Sequence, residues 1–581
     1  MRPQETFFVL LLVLLATIHF AFIINDRDTK SVEVRQFYSS GAFCASNTDM
    51  ALRWINPNDP KAPLFDGMGR HKYNIRTISP EAQEYFNQGL NLIYGFNHSE
   101  AYRSFKECLN IDPFCSMAYW GIAMALGPNI NDWIPSMERE QESYEALKKA
   151  IKLAASGKEK DIIEALMTRC ADTTSIDRDS LNKAYAIAMR TLSDKYPDDL
   201  ELKVLYADAL MNKMPWDYYE ADLTAKPATD TVVNLLEEVI AKNGDHPGAH
   251  HLYIHIVEAS DNPDRGVPSA EHLGALVPAA GHLVHMPAHI YARVGRYEDA
   301  AESNRKAINA DENYIASCQA SGLYPLGYYP HNIHFLWMAT TLNGQMEEAL
   351  DAAIKTADKI PANAQDVGSQ SFLAIPLQAY TRFGKWNEVL TTPKPDSSLQ
   401  LVTGFWHYAR AIAFAKKGLF DKSQSEIESL EKLVKEQKNM ADSTVVEGQD
   451  SAPDPNIQVN DILLSVSEAE LAAAKGDYES AIEKLKLAME VEDKLPYNEP
   501  PYWHHPIRQI IGNVYIQSGH YKEAEVVFRE DLKKFRDNGW SLFGLYQALD
   551  KQGKTTEANQ TYNAYKKAWA LADIELSAAS Y

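Results

Sequence analysis

Gly295-Arg296-Tyr297-Glu298-Asp299-Ala300 is the stretch on which the fold turns, because its pattern comes back along the chain. A glycine, an aromatic two places on and an alanine three places beyond it recur as Gly476-Asp477-Tyr478-Glu479-Ser480-Ala481 and Gly519-His520-Tyr521-Lys522-Glu523-Ala524. Looser copies are Gly344-Gln345-Met346 with Ala349, Gly384-Lys385-Trp386 with Val389, Gly418-Leu419-Phe420 with Ser423, and Gly553-Lys554-Thr555 with Ala558. Gly553 follows Gly519 by 34 positions. That period fits a helix–turn–helix unit of about 34 residues, in which small side chains let helices approach and an aromatic fills the groove between them. Residues 82–115 carry a full unit, with Gly89, Ala101, Phe105, Cys108 and Pro113 at its offsets.

From Ser79-Pro80 onward, apolar residues recur every three or four places, and no alternation of period two bounded by hairpin turns survives. The expected fold is therefore an all-α, right-handed helical-repeat solenoid of the tetratricopeptide-repeat (TPR) type. Residues 25–79 read as an extended lead-in, because Pro57, Pro60 and Pro63 cannot sustain a helix. Residues 80–245 read as one repeat followed by divergent helix pairs, with helices expected over 138–155, 158–170 and 180–195. Residues 246–345 form a histidine-rich helical region, and 346–581 hold the C-terminal repeats. Turn spacing there is uneven, so some helices must be longer or carry inserts. One insert is expected at Gln437 to Gln458, which has no apolar face and reads as a flexible loop.

At 581 residues the chain exceeds one ordinary core and needs a core that grows by stacking. Its net charge of −22 favours solubility and makes polyanions poor partners. With no long basic run and no nucleic-acid motif, nucleic acid is not expected as a partner. Phe7 to Ile24 is an apolar run of 18 residues broken by Thr17 and His19. As a helix it would rise roughly 27 Å, at the short end of a bilayer span. No clean Ala-x-Ala follows, so a cleaved signal and an uncleaved signal-anchor both fit residues 1–24. Either places the repeats on the extracytoplasmic side, secreted or membrane-anchored, with membrane contact confined to this segment. The five cysteines make no disulfide framework, although Cys108 and Cys115 flank one turn and would be able to pair in an oxidising compartment. Asn97-His98-Ser99 and Asn559-Gln560-Thr561 are glycosylation sequons.

The chemistry concentrates in the middle. Ten of the 17 histidines lie between His246 and His334. His251, His255 and Glu258 fall at i, i+4 and i+7 of a helical run and share a face. His282, His285 and His289 fall at i, i+3 and i+7, with Pro287 placing His282 in the turn before the helix. His331 and His334 make a further pair at i, i+3. Imidazole is the commonest metal ligand, and two histidines one turn apart grip a single ion. Glu258 would then complete the ligand set, orient a ligand, or act as a general base on bound water. The metal-free alternative is a polar groove or acid/base pocket built from the same side chains. His246, His250 and His272 read as packing residues, and His504-His505 is a weak metal signal because adjacent residues point apart. Tyr291, Tyr324, Tyr328, Tyr329 and Cys318 would line the same pocket if they are not core. There is no His-Glu-x-x-His, and His255-x-x-Glu258 reverses the order found in carboxylate-bridged bundles. Zinc, copper and non-haem iron all remain open as a divalent metal.

His251-Leu252-Tyr253-Ile254-His255 with Glu258, Gly281-His282-Leu283-Val284-His285-Met286-Pro287-Ala288-His289-Ile290-Tyr291, Ala118 to Ala125 with Gly127-Pro128-Asn129, and Asn538 to Leu545 resemble a family of mostly uncharacterised TPR-repeat proteins common in bacteria. The resemblance runs from about residue 80 onward, and His-Met-Pro-x-His is its most specific part. It implies a TPR fold and a shared histidine site, and no reaction. Two functions follow as expectations. One is a binding scaffold that takes a protein, peptide or small molecule on its concave face, with a metal organising the pocket. The other is a metal-dependent hydrolase or oxidoreductase in which His251, His255, His285, His289 and His334 hold the ion and Glu258 handles protons.

Overall fold

The computed structural model describes residues 61–172, 177–220, 222–318, 324–364, 366–442 and 455–581. The apolar run of residues 1–24, most of the lead-in and the centre of the expected loop lie outside them. Among the described residues the chain folds into 25 α-helices, and two isolated bridges are the only β pairing. The fold is an all-α helical-repeat solenoid. Nine helices carry the argument: α1 (Pro80–Tyr94), α2 (His98–Ile111), α3 (Ser116–Leu126), α4 (Pro247–Glu258), α5 (Gly281–His285), α6 (Pro287–Arg293), α7 (Tyr297–Cys318), α8 (Tyr329–Asn343) and α9 (Gly539–Lys551).

The recurring glycines do what the repeat requires. At all seven turns the glycine is left-handed, with φ between 63° and 84°. The residue after it donates its N–H to a carbonyl five places back, as in Arg296 to Tyr291 (2.8 Å) and His520 to Tyr515 (2.8 Å). This is the Schellman ending of a helix, which satisfies its last carbonyls and reverses the chain.

Between turns, one packing device appears twice. A Cβ added to Gly89 or Gly121 would fall 2.7 or 2.5 Å from the Phe105 ring. The same holds for Gly512 and Gly544 against Phe528, at 2.5 and 2.3 Å. Each aromatic on the second helix of a unit is thus wedged between glycines of the helices before and after it. Cys108 and Cys115 flank the α2–α3 turn as free, buried thiols. The hydrogen bond to Cys115, together with burial, pushes the Cys108 thiol far above its ordinary range.

Three expectations change. The loop between 437 and 458 is shorter, because one helix runs to Asp442 and the next starts at Pro455. His282 is helical, since α5 ends at His285 and Pro287 opens α6 instead of breaking a longer helix. Asn97 is buried, and its amide oxygen caps α2 by accepting from the Glu100 N–H (3.3 Å), so this sequon has no room for a glycan. Asn559 is exposed on a C-terminal helix.

The solenoid also returns on itself. Trp540 on α9 donates its indole N–H to the Thr341 carbonyl at the end of α8 (2.9 Å). Trp569 lies against Gly344 and Gly539, and the Asp573 carboxylate accepts from the backbone N–H groups of Met346 and Glu347 (2.7 and 2.9 Å). Helices α1 and α4 pack together at the other end of the same core. The histidine region is therefore enclosed, and does not line an open groove. No helix among the described residues is long and apolar enough to cross a membrane.

Candidate metal centre

Two triads of histidine come together inside this core. His251 and His255 from α4 meet His282 from α5, and His285 from α5 meets His289 from α6 and His331 from α8. Within each triad the candidate ligand nitrogens lie within 4.8 Å of one another. All six side chains are at most 5% exposed. The triads adjoin, with ring centroids 5.8 Å apart for His255 and His289 and for His282 and His285.

Glycine makes these approaches feasible. Gly248 on α4 has no Cβ where Tyr94 of α1 lies; one would sit 2.4 Å from the ring. A Cβ on Gly281 would fall 1.8 Å from the Asp311 carboxyl of α7. That carboxyl accepts from the Tyr324 hydroxyl (2.8 Å), which in turn accepts from the His282 N–H (3.0 Å) and fixes the start of α5.

Hydrogen bonds set the tautomers. Nδ1–H of His251 donates to the Tyr94 carbonyl (2.5 Å), and Nδ1–H of His285 donates to Asn304 Oδ1 (2.7 Å). The Asn304 amide is itself oriented, because its Nδ2 donates to the Ala300 carbonyl (2.8 Å). Glu258 bridges the triads, accepting from His255 Nδ1–H at Oε1 (2.9 Å) and from His289 Nδ1–H at Oε2 (2.5 Å). With Nδ1 protonated in four rings, each presents an Nε2 lone pair to the interior.

Those lone pairs lack partners. Nε2 of His251, Nε2 of His255 and both ring nitrogens of His282 make no hydrogen bond. His285 Nε2 and His289 Nε2 face each other at 2.8 Å, two acceptors with no donor between them in these tautomers. Buried polar atoms are normally paired, so this point calls for a cation, either a proton or a metal ion. Burial, helped by the neighbouring imidazoles, pushes His251, His282, His285 and His331 well below the ordinary histidine range. Burial opposes ionisation of Glu258, but the imidazoles of His289 and His255 and the hydrogen bonds they donate outweigh it and hold the carboxyl at about 2.

Aromatic rings close the centre. Phe96 lies 4.5, 5.3 and 6.0 Å from the rings of His251, His282 and His255. Phe335 covers His289, His285 and His331 at 4.8, 5.0 and 5.9 Å. Tyr328 packs on His282 at 4.8 Å. A cavity of about 50 Å³ adjoins Phe96 and Tyr328, and one of about 30 Å³ adjoins His331 and Glu499. Burial, first of all, raises the Glu499 carboxyl above its ordinary range.

Other expected residues lie elsewhere. His334 turns away from His331, and its Nε2 meets His504 Nε2 at 3.0 Å, so the i, i+3 pair does not grip one ion. Tyr291 stacks under Arg296, and Tyr329 donates to Glu312 (2.7 Å). The Cys318 side chain is outside the described part. His250 bonds Ser269 and the Gly244 carbonyl, and His272 bonds Asp245 on the surface, as packing residues should. His246 joins His71 and Glu201 beside a cavity of about 1160 Å³, with His71 Nε2 2.9 Å from the Glu201 carboxylate. Its Nδ1 lone pair caps α4 by accepting from Ala249 N–H (3.3 Å). Its Nε2 lies 3.4 Å from Glu201 Oε2 without making a hydrogen bond, and the ligand atoms of His71, Glu201 and His246 lie within 4.8 Å of one another, a third group that could hold an ion.

Neither the family models nor the curated proteins include a match to this chain. Among solved structures it is similar to Naa15/Naa10 bound to HypK-THB, at 12% identity over 85% of this chain and 89% of that one, with a TM-score of 0.24. The human IFIT1 dimer with m7Gppp-AAAA matches at 12% identity over 86% and 92%, with a TM-score of 0.30. The APC/C hetero-tetramer Cut9-Hcn1 matches at 10% identity over 85% and 89%, with a TM-score of 0.28. Scores this low carry no argument about function, and they lend no weight to the exclusion of nucleic acid expected from net charge.

Proposed function

We propose that the chain is a helical-repeat metalloprotein whose two histidine triads each hold one transition-metal ion in the closed core. The observation that carries this reading is the set of inward Nε2 lone pairs without hydrogen-bond donors, above all His285 and His289 at 2.8 Å. Outer hydrogen bonds that fix the tautomer are what metal-binding histidines ordinarily have. Glu258 takes the orienting place, since each of its oxygens accepts from one triad. A structural zinc site is closed by four protein ligands, whereas three per ion leave a position for a small exogenous ligand. This favours a metal-dependent enzyme over a purely structural metal, with Glu499 the carboxyl nearest to hand in the cavity by His331.

The test is X-ray absorption on full-length protein loaded with zinc and then desalted. Imidazole nitrogen at about 2.0–2.1 Å with no sulfur is expected. Failure to retain metal after reconstitution would overturn the reading and leave a shared proton between His285 and His289.

A second reading, a scaffold for a protein partner, is favoured by Ile78 and Phe114, which are 89% and 75% exposed. The Asp112 carboxylate holds both in place by accepting from their backbone N–H groups. Replacing both with serine should remove a copurifying partner and leave metal content unchanged. The N-terminal apolar run supports placing the repeats outside the cytoplasm, which protease accessibility in sealed vesicles would check.

A further inference from the structure

We propose that His71, Glu201 and His246 hold a further divalent metal ion in the wall of the large cavity, where its open coordination position takes an anionic oxygen ligand. The site shares no residue with the two triads, so it stands whether or not they bind metal.

The three side chains come from separate parts of the fold. His71 lies in the segment before α1. Gly69 bends that segment at φ 84°, and a Cβ there would fall 2.7 Å from the Leu276 carbonyl oxygen. The Asn91 amide of α1 donates to the His71 carbonyl (3.2 Å). Glu201 sits in the first turn of the helix Leu200–Met211, and His246 caps α4. Glu201 Oε2 is 2.9 Å from His71 Nε2 and 3.4 Å from His246 Nε2. With bonds of about 2.1 Å to zinc, neighbouring ligand atoms lie about 3.0 Å apart in an octahedral shell and about 3.4 Å apart in a tetrahedral one. The spacings are thus already those of a ligand set. The other carboxylate oxygen accepts from the Tyr94 hydroxyl, which fixes its orientation.

Two unmet needs coincide here. His246 Nε2 is buried and makes no hydrogen bond, where buried polar atoms are normally paired. Glu201 is a buried carboxylate with which no lysine or arginine pairs among the described residues, and a buried charge is costly without a partner. One cation answers both. Coordination through Nε2 puts the His246 proton on Nδ1 and gives up the acceptance from Ala249 N–H at 3.3 Å, one long helix-capping bond. That loss is small beside a metal–imidazole bond.

Unlike the triads, this site opens outward. All three side chains line the cavity of about 1160 Å³. Three protein ligands leave a position for an exogenous one, as in catalytic zinc sites built from two histidines and a glutamate. The wall of the cavity favours an anion there. Lys158 and Lys195 are held by Asp199 (2.5 Å) and Asp161 (2.6 Å). Arg70 and Lys72, on either side of His71, line the cavity with no ion pair among the described residues. They outnumber Asp198, the one carboxylate of the wall likewise without an ion pair, since Asp245 bonds His272. The two charges of the ion exceed the one on Glu201, so the mouth is positive and draws in an anion.

The experiment loads full-length protein with zinc, desalts it, and compares wild type with Glu201→Gln and His71→Gln, each checked for helicity by circular dichroism. Each variant should hold one zinc fewer per chain than wild type. A brief chelator wash should strip one zinc from wild type ahead of any in the core. Inorganic phosphate, titrated by calorimetry, should bind zinc-loaded wild type about tenfold more tightly than Arg70→Ala with Lys72→Ala, whose zinc content should be unchanged. Equal zinc in wild type and both variants, or no ion lost to the wash, would overturn the site. Zinc lost as expected but no phosphate bound would overturn its anionic ligand. A single zinc in wild type, absent from Glu201→Gln, would support this site and overturn the triads. Two zinc ions kept by Glu201→Gln and lost from His255→Ala with His289→Ala would do the reverse.

Discussion

His255 and His289 are separated by 34 positions in sequence, yet one carboxylate, Glu258, holds both. Neutralising it should loosen the two triads together. Glu258→Gln is expected to weaken both metal sites about 10- to 100-fold in competition with a chelator, whereas Asn304→Leu should weaken only the site containing His285. Equal effects on both ions from Asn304→Leu would contradict this division. A separate carboxyl sets a pH dependence away from the centre. Burial raises Glu492 to about 7, against about 4.3 for an unperturbed glutamate. Across that window the native state binds more protons than the unfolded one, so this group's contribution to stability is full at low pH and is lost as pH rises to 7. Glu492→Gln should remove up to about 1.4 kcal/mol per pH unit of that slope, measured by denaturant unfolding between pH 5 and 7.5. At this scale the sequence exposed the histidines through their clustering and spacing. It hid Asn304, although a polar residue on the stripe Ala300, Ala301, Ala307 and Ile308 was a readable sign of a buried role. Phe96 and the Tyr94 carbonyl gave no such sign, because an aromatic or a backbone oxygen looks the same wherever it packs.

The turns and wedges of the repeat were the most legible elements. A left-handed glycine ending a helix is written in one residue, and the aromatic that follows in two. The Phe105 and Phe528 wedges sit at the same offsets from their glycines, 16 residues on and 16 before the next. Gly121→Ala or Gly544→Ala should therefore cost about 1–3 kcal/mol by overpacking, read as a fall in Tm. An unchanged Tm would mean that the rings move aside freely. Periodicity failed to see how the elements regroup around the histidines. His282, His285 and His289 share a face in a continuous helix, yet Pro287 divides the segment into α5 and α6, and His282 joins α4 while the other two join α8. His331 and His334 divide likewise.

At the scale of the whole molecule, the solenoid encloses its chemistry because its C-terminal helices return to the middle. Trp569, packed on Gly344 and Gly539, is one anchor of that return, and Trp540 bonded to Thr341 is another. Trp569→Ala should cost about 3–5 kcal/mol and raise hydrogen exchange in residues 539–568 and 344–358 ahead of the rest. Such closure depends on contacts some 200 residues apart, which no local pattern announces, and so an open concave groove was the natural expectation from repeats alone. The central claim is that the enclosed histidines hold two ions, one per triad. Its most direct test is metal content by plasma mass spectrometry on wild type and on His255→Ala with His289→Ala, both purified in the same way and checked for helicity by circular dichroism. The account predicts that the double variant keeps its helicity and loses two equivalents of metal relative to wild type; equal metal content in the two proteins would contradict it.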